Sequence, residues 1–266
     1  MKKILIYIPA VATLISLMVA QTPPNTGVRQ LPPQSTAIKG VLVPVPREIF
    51  DTLDKFASSN WRAVQRPELA QQRPHGDQAE TALQLGVVIA EGFIAVEAEG
   101  AGEVKSVGRA VLKLARGLGV EKAALMRSRS IVDHAERGDW AGVRKEWDGV
   151  LPDVRHGMNE LQSEQLAQLV SLGGWLGGTE ALTALVLQNY SSQNAELLRQ
   201  PALLDHFEKR VAGMSEDVRT KPIIVRMREG IQKVRPLVAS DNPQISRKRV
   251  KEISTVSEEL LKGLSR

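Results

Sequence analysis

Residues 77–98 read DQAETALQLGVVIAEGFIAVEA, and this stretch decides the fold. Its polar side chains fall on one narrow stripe, Asp77, Gln84 and Glu91, while nearly every other position is apolar or small. Seven-residue spacing keeps the three on one side of a helix, so the segment reads as an α-helix apolar around most of its circumference, placed at the centre of a body. Asp77 is a good N-cap, with Glu80 three residues on as in a capping box. Gly86 and Gly92 each cost about 1 kcal/mol relative to Ala inside a helix, a cost that close approach of a neighbouring backbone offsets. Both glycines are therefore expected at helix contacts.

Outward from this stretch the same periodicity recurs. Pro46 serves as a first helical residue before Ile49, Phe50, Leu53 and Phe56, giving a helix over about 47–59. Residues 60–76 carry Pro67 and Pro74 and read as a connection holding Trp61, with a short turn around 68–72. Further helices are expected over about 102–118, 120–137, 139–150, 158–171, 179–190, 194–200, 202–213, 222–237 and 243–264. Connections of two to eight residues imply antiparallel neighbours. The chain is rich in helix formers and has only four Phe, two Tyr and four Trp. The expected fold is all-α, a multi-helix bundle or stacked antiparallel helical hairpins, without significant β-sheet.

The amino terminus has a different character. Met1-Lys2-Lys3 is basic, 4–20 is an uncharged apolar run of 17 residues, and Met18-Val19-Ala20 offers a cleavage point before Gln21. This layout is that of a signal peptide over 1–20, and its length also permits an uncleaved anchor. Residues 21–46 hold six prolines and read as a spacer in which Val41-Leu42-Val43 is a short extended piece that docks on the body. The expectation is an exported chain, periplasmic or held at the inner membrane by 4–20, with one helical domain over 47–266. The absence of Cys removes disulfides, thiolate metal sites and cysteine nucleophiles.

Residues 130–140, SIVDHAERGDW, followed by Val143 and Trp147, resemble the turn and second-helix start of tetratricopeptide-type repeats. The resemblance covers less than one repeat, and no self-similarity at a period near 34 residues accompanies it, which such an array requires.

Four groups of residues are candidates for chemistry or binding. Glu91, isolated in an apolar helix, is placed for a burial-raised pKa that suits proton transfer or metal binding; the alternative is a solvent-facing stripe or an Arg pairing. Residues 173–179, GGWLGGT, lack the Lys-Ser/Thr and the preceding strand of a nucleotide loop. They read as a helix break with Trp175 in the core, as a close helix crossing followed by a new helix capped at Thr179, or as a ligand pocket floored by Gly174 and Gly177 and walled by Trp175. His134, Asp153, His156 and His206 are weak metal candidates, since Asp153 and His156 share a helix face. No Glu-x-x-His and no His-Glu-x-x-His occurs, so di-iron and zinc-protease patterns are unsupported.

The fourth group is basic. The net charge of +5 is concentrated at the carboxy-terminal end, where 207–266 carries fourteen Lys/Arg against eight Asp/Glu. Arg247, Lys248, Arg249 and Lys251 suit an anionic envelope surface, whereas one aromatic in that region gives nucleic-acid bases little to stack on. No catalytic residue and no cofactor is indicated. The sequence therefore points to a non-enzymatic binding or scaffolding module of the bacterial cell envelope, with an envelope protein or an anionic envelope surface as partner. The alternative is a helical bundle that binds a small ligand or metal.

Overall fold

The computed structural model describes residues 36–38, 41–43, 52–56, 58–74, 77–238 and 244–264. The segment read as a signal peptide, most of the Pro-rich spacer, residues 47–51 of the first expected helix and His75 lie outside these. All described residues belong to one compact unit, 32–266.

The fold is all-α. Helices run in the order α1 (Gln78–Glu97), α2 (Ala101–Gly117), α3 (Glu121–Glu136), α4 (Trp140–Trp147), α5 (Val150–Glu160), α6 (Glu164–Gln188), the single turn α7 (Ser192–Ala195), α8 (Pro201–Ala212), the single turn α9 (Glu216–Arg219), α10 (Pro222–Val238) and α11 (Arg247–Leu264). Sheet among the described residues is confined to one antiparallel hairpin. Strand β1 (Thr36–Ile38) pairs with β2 (Val41–Val43), Thr36 opposite Val43 and Ile38 opposite Val41. The extended piece expected at Val41–Val43 thus exists, has a strand partner, and lies beside α8.

Helix α1 starts where its sequence says. Asp77 accepts hydrogen bonds through Oδ1 from the N–H groups of Ala79 (2.8 Å) and Glu80 (3.0 Å), and Lys221 pairs with its other oxygen. Between Ala79 and Val96 every residue except Glu80 is buried. The helix is enclosed mainly by α6 and α2. Both α1 and α6 are long and apolar enough to cross a membrane, yet 94% and 72% of their most apolar windows are buried inside the body.

The α1–α6 contact explains the glycines. A Cβ added at Gly86 would lie 2.0 Å from Val170 O, and one at Gly173 would lie 2.0 Å from Leu83 O. Gly177 stands against Ala90 in the same register. Residue numbers rise together along this seam, so α1 and α6 run side by side in the same direction. Gly92 is covered by the Trp147 ring, whose Nε1–H donates to Ile89 O at 3.3 Å. The expected role of Gly86 and Gly92 is what the packing demands.

Three expectations need correction. The string 173–179 neither breaks a helix nor starts one at Thr179: α6 runs unbroken from Glu164 to Gln188. The glycine propensity cost is offset because the missing side chains let the backbones touch. Helix α5 fills 150–160, spanning the gap expected between helices over about 139–150 and 158–171, and the second of these is interrupted at 161–163. Pro152 sits in its first turn, where a missing N–H breaks no intrahelical bond. The described part of the first expected helix is two helical residues followed by a 3₁₀ turn, Asp54–Phe56.

The hairpin that resembles a tetratricopeptide unit is formed by α3 and α4 around Gly138, whose φ of +68° requires glycine or strain. Its Val143 and Trp147 are buried.

Candidate functional site

Two acids of the core helices α1 and α6 meet one arginine. Between two 3₁₀ turns, Trp61–Val64 and Pro67–Gln71, the chain lays Arg66 over α1 and α6. The Arg66 N–H donates to Glu91 Oε1 at 2.8 Å, Arg66 Nη1 stands 4.0 Å from Glu91 Oε2, and Arg66 Nη2 is ion-paired with Glu180 of α6. Glu91 and Glu180 are each 4% exposed. Two carboxylates thus share one guanidinium. Burial pushes Glu91 up to about 7, outweighing the pull of the Arg66 N–H and guanidinium, and nearby Glu68 raises it further. The same burial holds Arg66 below the ordinary guanidinium range despite Glu91, Glu68 and Glu258. Gln84 and Glu91 of the polar stripe are therefore interior rather than solvent-facing, while Asp77 at the start of α1 is partly exposed. Gln84, fully buried, donates to the terminal α11 carbonyl of Leu264 at 2.9 Å, satisfying an acceptor that the helix end leaves open.

The second polar knot on α1 is Glu97, which Arg144 of α4 approaches to 3.3 Å while also binding Asp54 at 2.6 Å. Burial raises the Glu97 carboxyl to about 6, with Arg144 pulling the other way.

The remaining candidates are dispersed. Trp175 is half-buried and faces α8, its ring centroid 5.9 Å from that of Phe207. Gly174 and Gly177 line the seam with α1, so α1 occupies the space where a pocket floor was envisaged. His134 Nδ1 is 2.7 Å from Asp139 Oδ2 at the α3–α4 turn; Asp153 is held by Arg127 Nε at 2.6 Å; exposed His156 lies 3.4 Å from Glu160. His206 is buried beside Phe207, its pKa lowered by burial and then by Arg210 and Arg155. Among the described residues no three His, Asp or Glu side chains form a group that could hold a metal.

In the basic group, Arg247 donates to Leu187 O at 3.2 Å, capping α6. Lys248 stands 87% exposed, 3.9 Å from Glu252. Lys251 is exposed and Arg249 half-buried.

The structure adds a site that the sequence reading did not single out. A groove of about 440 Å³ opens between α2 and α3. Val104 and Val111 of α2, Ala124 and Ile131 of α3 and Val150 of α5 form its buried floor. Leu112 and Val132 are its half-buried walls. Lys105, Arg109, Arg129 and Asp133 stand along it. Lys105 is ion-paired with Glu136, and Arg109 donates to the Ser106 hydroxyl at 3.1 Å. Neither Arg109 nor Arg129 has a carboxylate partner among the described residues.

Glu180 was legible in principle, a lone acid in an apolar helix like Glu91. Arg66 had no local signal, since only the tertiary path of its loop brings it there.

No protein-family model matches this chain, no curated protein matches it in sequence, and no solved structure matches it. Fold and site together define an all-α bundle with charge tied up inside and a cationic, apolar-floored groove outside.

Proposed function

We propose that the chain is an exported, non-enzymatic binding or scaffolding module of the bacterial cell envelope, with the α2–α3 groove as its recognition surface. One observation carries this reading: the groove is open, its floor is apolar, and two of its guanidiniums, Arg109 and Arg129, are exposed with no ion-paired carboxylate among the described residues. A protein surface keeps such a combination when something else completes it. The buried Arg66–Glu91–Glu180 cluster, by contrast, is internally paired and covered. The basic amino terminus and apolar run of 4–20 support export, either to the periplasm or to an anchored position at the inner membrane. The partner is an envelope protein or an anionic envelope component.

The test is a photo-activated cross-linker placed in living cells at Leu112, in the groove wall, and at exposed Thr255 on α11 as control. A discrete adduct at Leu112 and none at Thr255 is expected; equal or absent adducts at both overturn the reading.

A second reading, a ligand-binding or catalytic bundle, is favoured by one feature, the Glu91 carboxyl raised to about 7 beside Glu180. It requires the Arg66 segment to lift from α1. Turnover abolished by Glu91→Gln would establish it in place of the first.

A further inference from the structure

The groove's dimensions and chemistry specify its occupant more narrowly, an argument that rests on the groove being the recognition surface. A volume of about 440 Å³ lies within the small-ligand range of roughly 300–1,000 Å³. A slender chain is the kind of ligand such a groove takes along its length. The floor offers only aliphatic carbon from Val104, Val111, Ile131 and Val150. Among the described residues no aromatic ring lines it to stack a planar ligand.

Charge completes the specification. Lys105, Arg109 and Arg129 line the groove against the single acid Asp133, and Lys105 is already taken by Glu136. Arg109 and Arg129 remain, one on each helix, and each guanidinium fork matches a carboxylate. We propose that the α2–α3 groove binds a free, single-chain aliphatic carboxylate, the chain lying on the valine and isoleucine floor and the carboxylate held between Arg109 and Arg129. The recessed position of the apolar floor, below a charged rim, suits a monomer withdrawn from solution rather than a bilayer face.

The experiment titrates the full chain with hexadecanoate below its micelle concentration, by calorimetry. Saturable one-to-one binding is expected, about tenfold weaker in Arg109→Ala and in Arg129→Ala, and about tenfold weaker for hexadecanol with wild-type protein. Leu112→Asp, on the half-buried wall, is expected to abolish binding with its helix content, read by circular dichroism, unchanged. Absence of saturable binding overturns the proposal, as does binding indifferent to both arginines. Phosphatidylglycerol vesicles or an acidic amphipathic peptide binding more tightly, with the same arginine dependence, likewise replaces the free carboxylate. A Leu112 cross-link to a protein in cells without hexadecanoate binding would sink this proposal alone; loss of both would sink the groove reading too.

Discussion

The α1–α6 seam and the α2–α3 groove are both made by two helices laying apolar faces together, yet one is closed and the other open. In the seam, Gly86 and Gly173 bring backbone against backbone, and the space a methyl would need is already filled by the carbonyls of Val170 and Leu83. In the groove, Gly108 lines the opening, and an added Cβ would meet nothing within 4 Å. The same residue type thus marks a backbone-to-backbone contact and an accessible hollow. Glycine content cannot tell these apart; the opposing surface does.

The comparison breaks most visibly at Gly86→Ala. Alanine is the better helix former by about 1 kcal/mol, but here its methyl would collide with a backbone oxygen that no side-chain rotation can move. We expect a net loss of about 3 kcal/mol in urea unfolding, in the upper range for overpacked cores. Unchanged or increased stability would mean that α1 and α6 are not in backbone contact.

The charge within the seam gives the next effect. Glu91 rises from an ordinary 4.5 to about 7 because burial disfavours its ionised form. The folded chain then binds a proton that the unfolded chain has released, so stability falls as pH rises from about 4.5 to about 7 and is level beyond. Over that window the loss attributable to Glu91 is about 3 kcal/mol, each pKa unit being worth about 1.4 kcal/mol. Glu91→Gln keeps an acceptor for the Arg66 N–H and removes the titration. Glu97, raised in the same direction, contributes equally to both proteins. Unfolding curves measured at pH 5 and pH 8 should therefore diverge between wild type and variant; parallel behaviour would place Glu91 in contact with water.

Asp77 anchors the start of the seam through two N–H groups and Lys221. Asp77→Ala should cost about 1 kcal/mol, the usual value of an N-cap, read as a lowered urea midpoint with unchanged slope. No change would mean that neither the cap bonds nor the Lys221 pair stabilises the folded chain.

These particulars explain what could be read in advance. Residues 77–98 announced a central helix, its cap and its contact glycines, because those properties are local and periodic. Burial of Gln84 was not legible, since it depends on the Leu264 carbonyl arriving from 180 positions away. For Glu91 the sequence suggested a burial-raised pKa or an Arg pairing, but not which arginine, because Arg66 sits in a loop with no pattern of its own. Residues 173–179 misled for a related reason: glycine propensity argues for a break, and only the facing α1 backbone argues against one. Trp175 has the look of a pocket wall in sequence but packs on Phe207 of α8. The groove was hidden in plainer fashion, because ordinary amphipathic helices such as α2 and α3 do not reveal how far apart they stand.

The smallest expected effect has the opposite sign and tests the open side of the comparison. At Gly108 an alanine methyl has room and the helix gains a better former, so Gly108→Ala should stabilise the chain by roughly 0.5–1 kcal/mol. The same exchange, glycine to alanine within a helix, would then raise the unfolding midpoint on α2 and lower it on α1. A decrease at Gly108 would mean that something in the folded state fills the groove beside it, and the α2–α3 surface would have to be treated as interior. An increase would leave the hollow open and make the variant useful in its own right, because the added methyl reduces the groove's volume without touching Arg109 or Arg129. Hexadecanoate affinity falling in a protein that has become more stable would separate occupancy of the groove from the integrity of the fold.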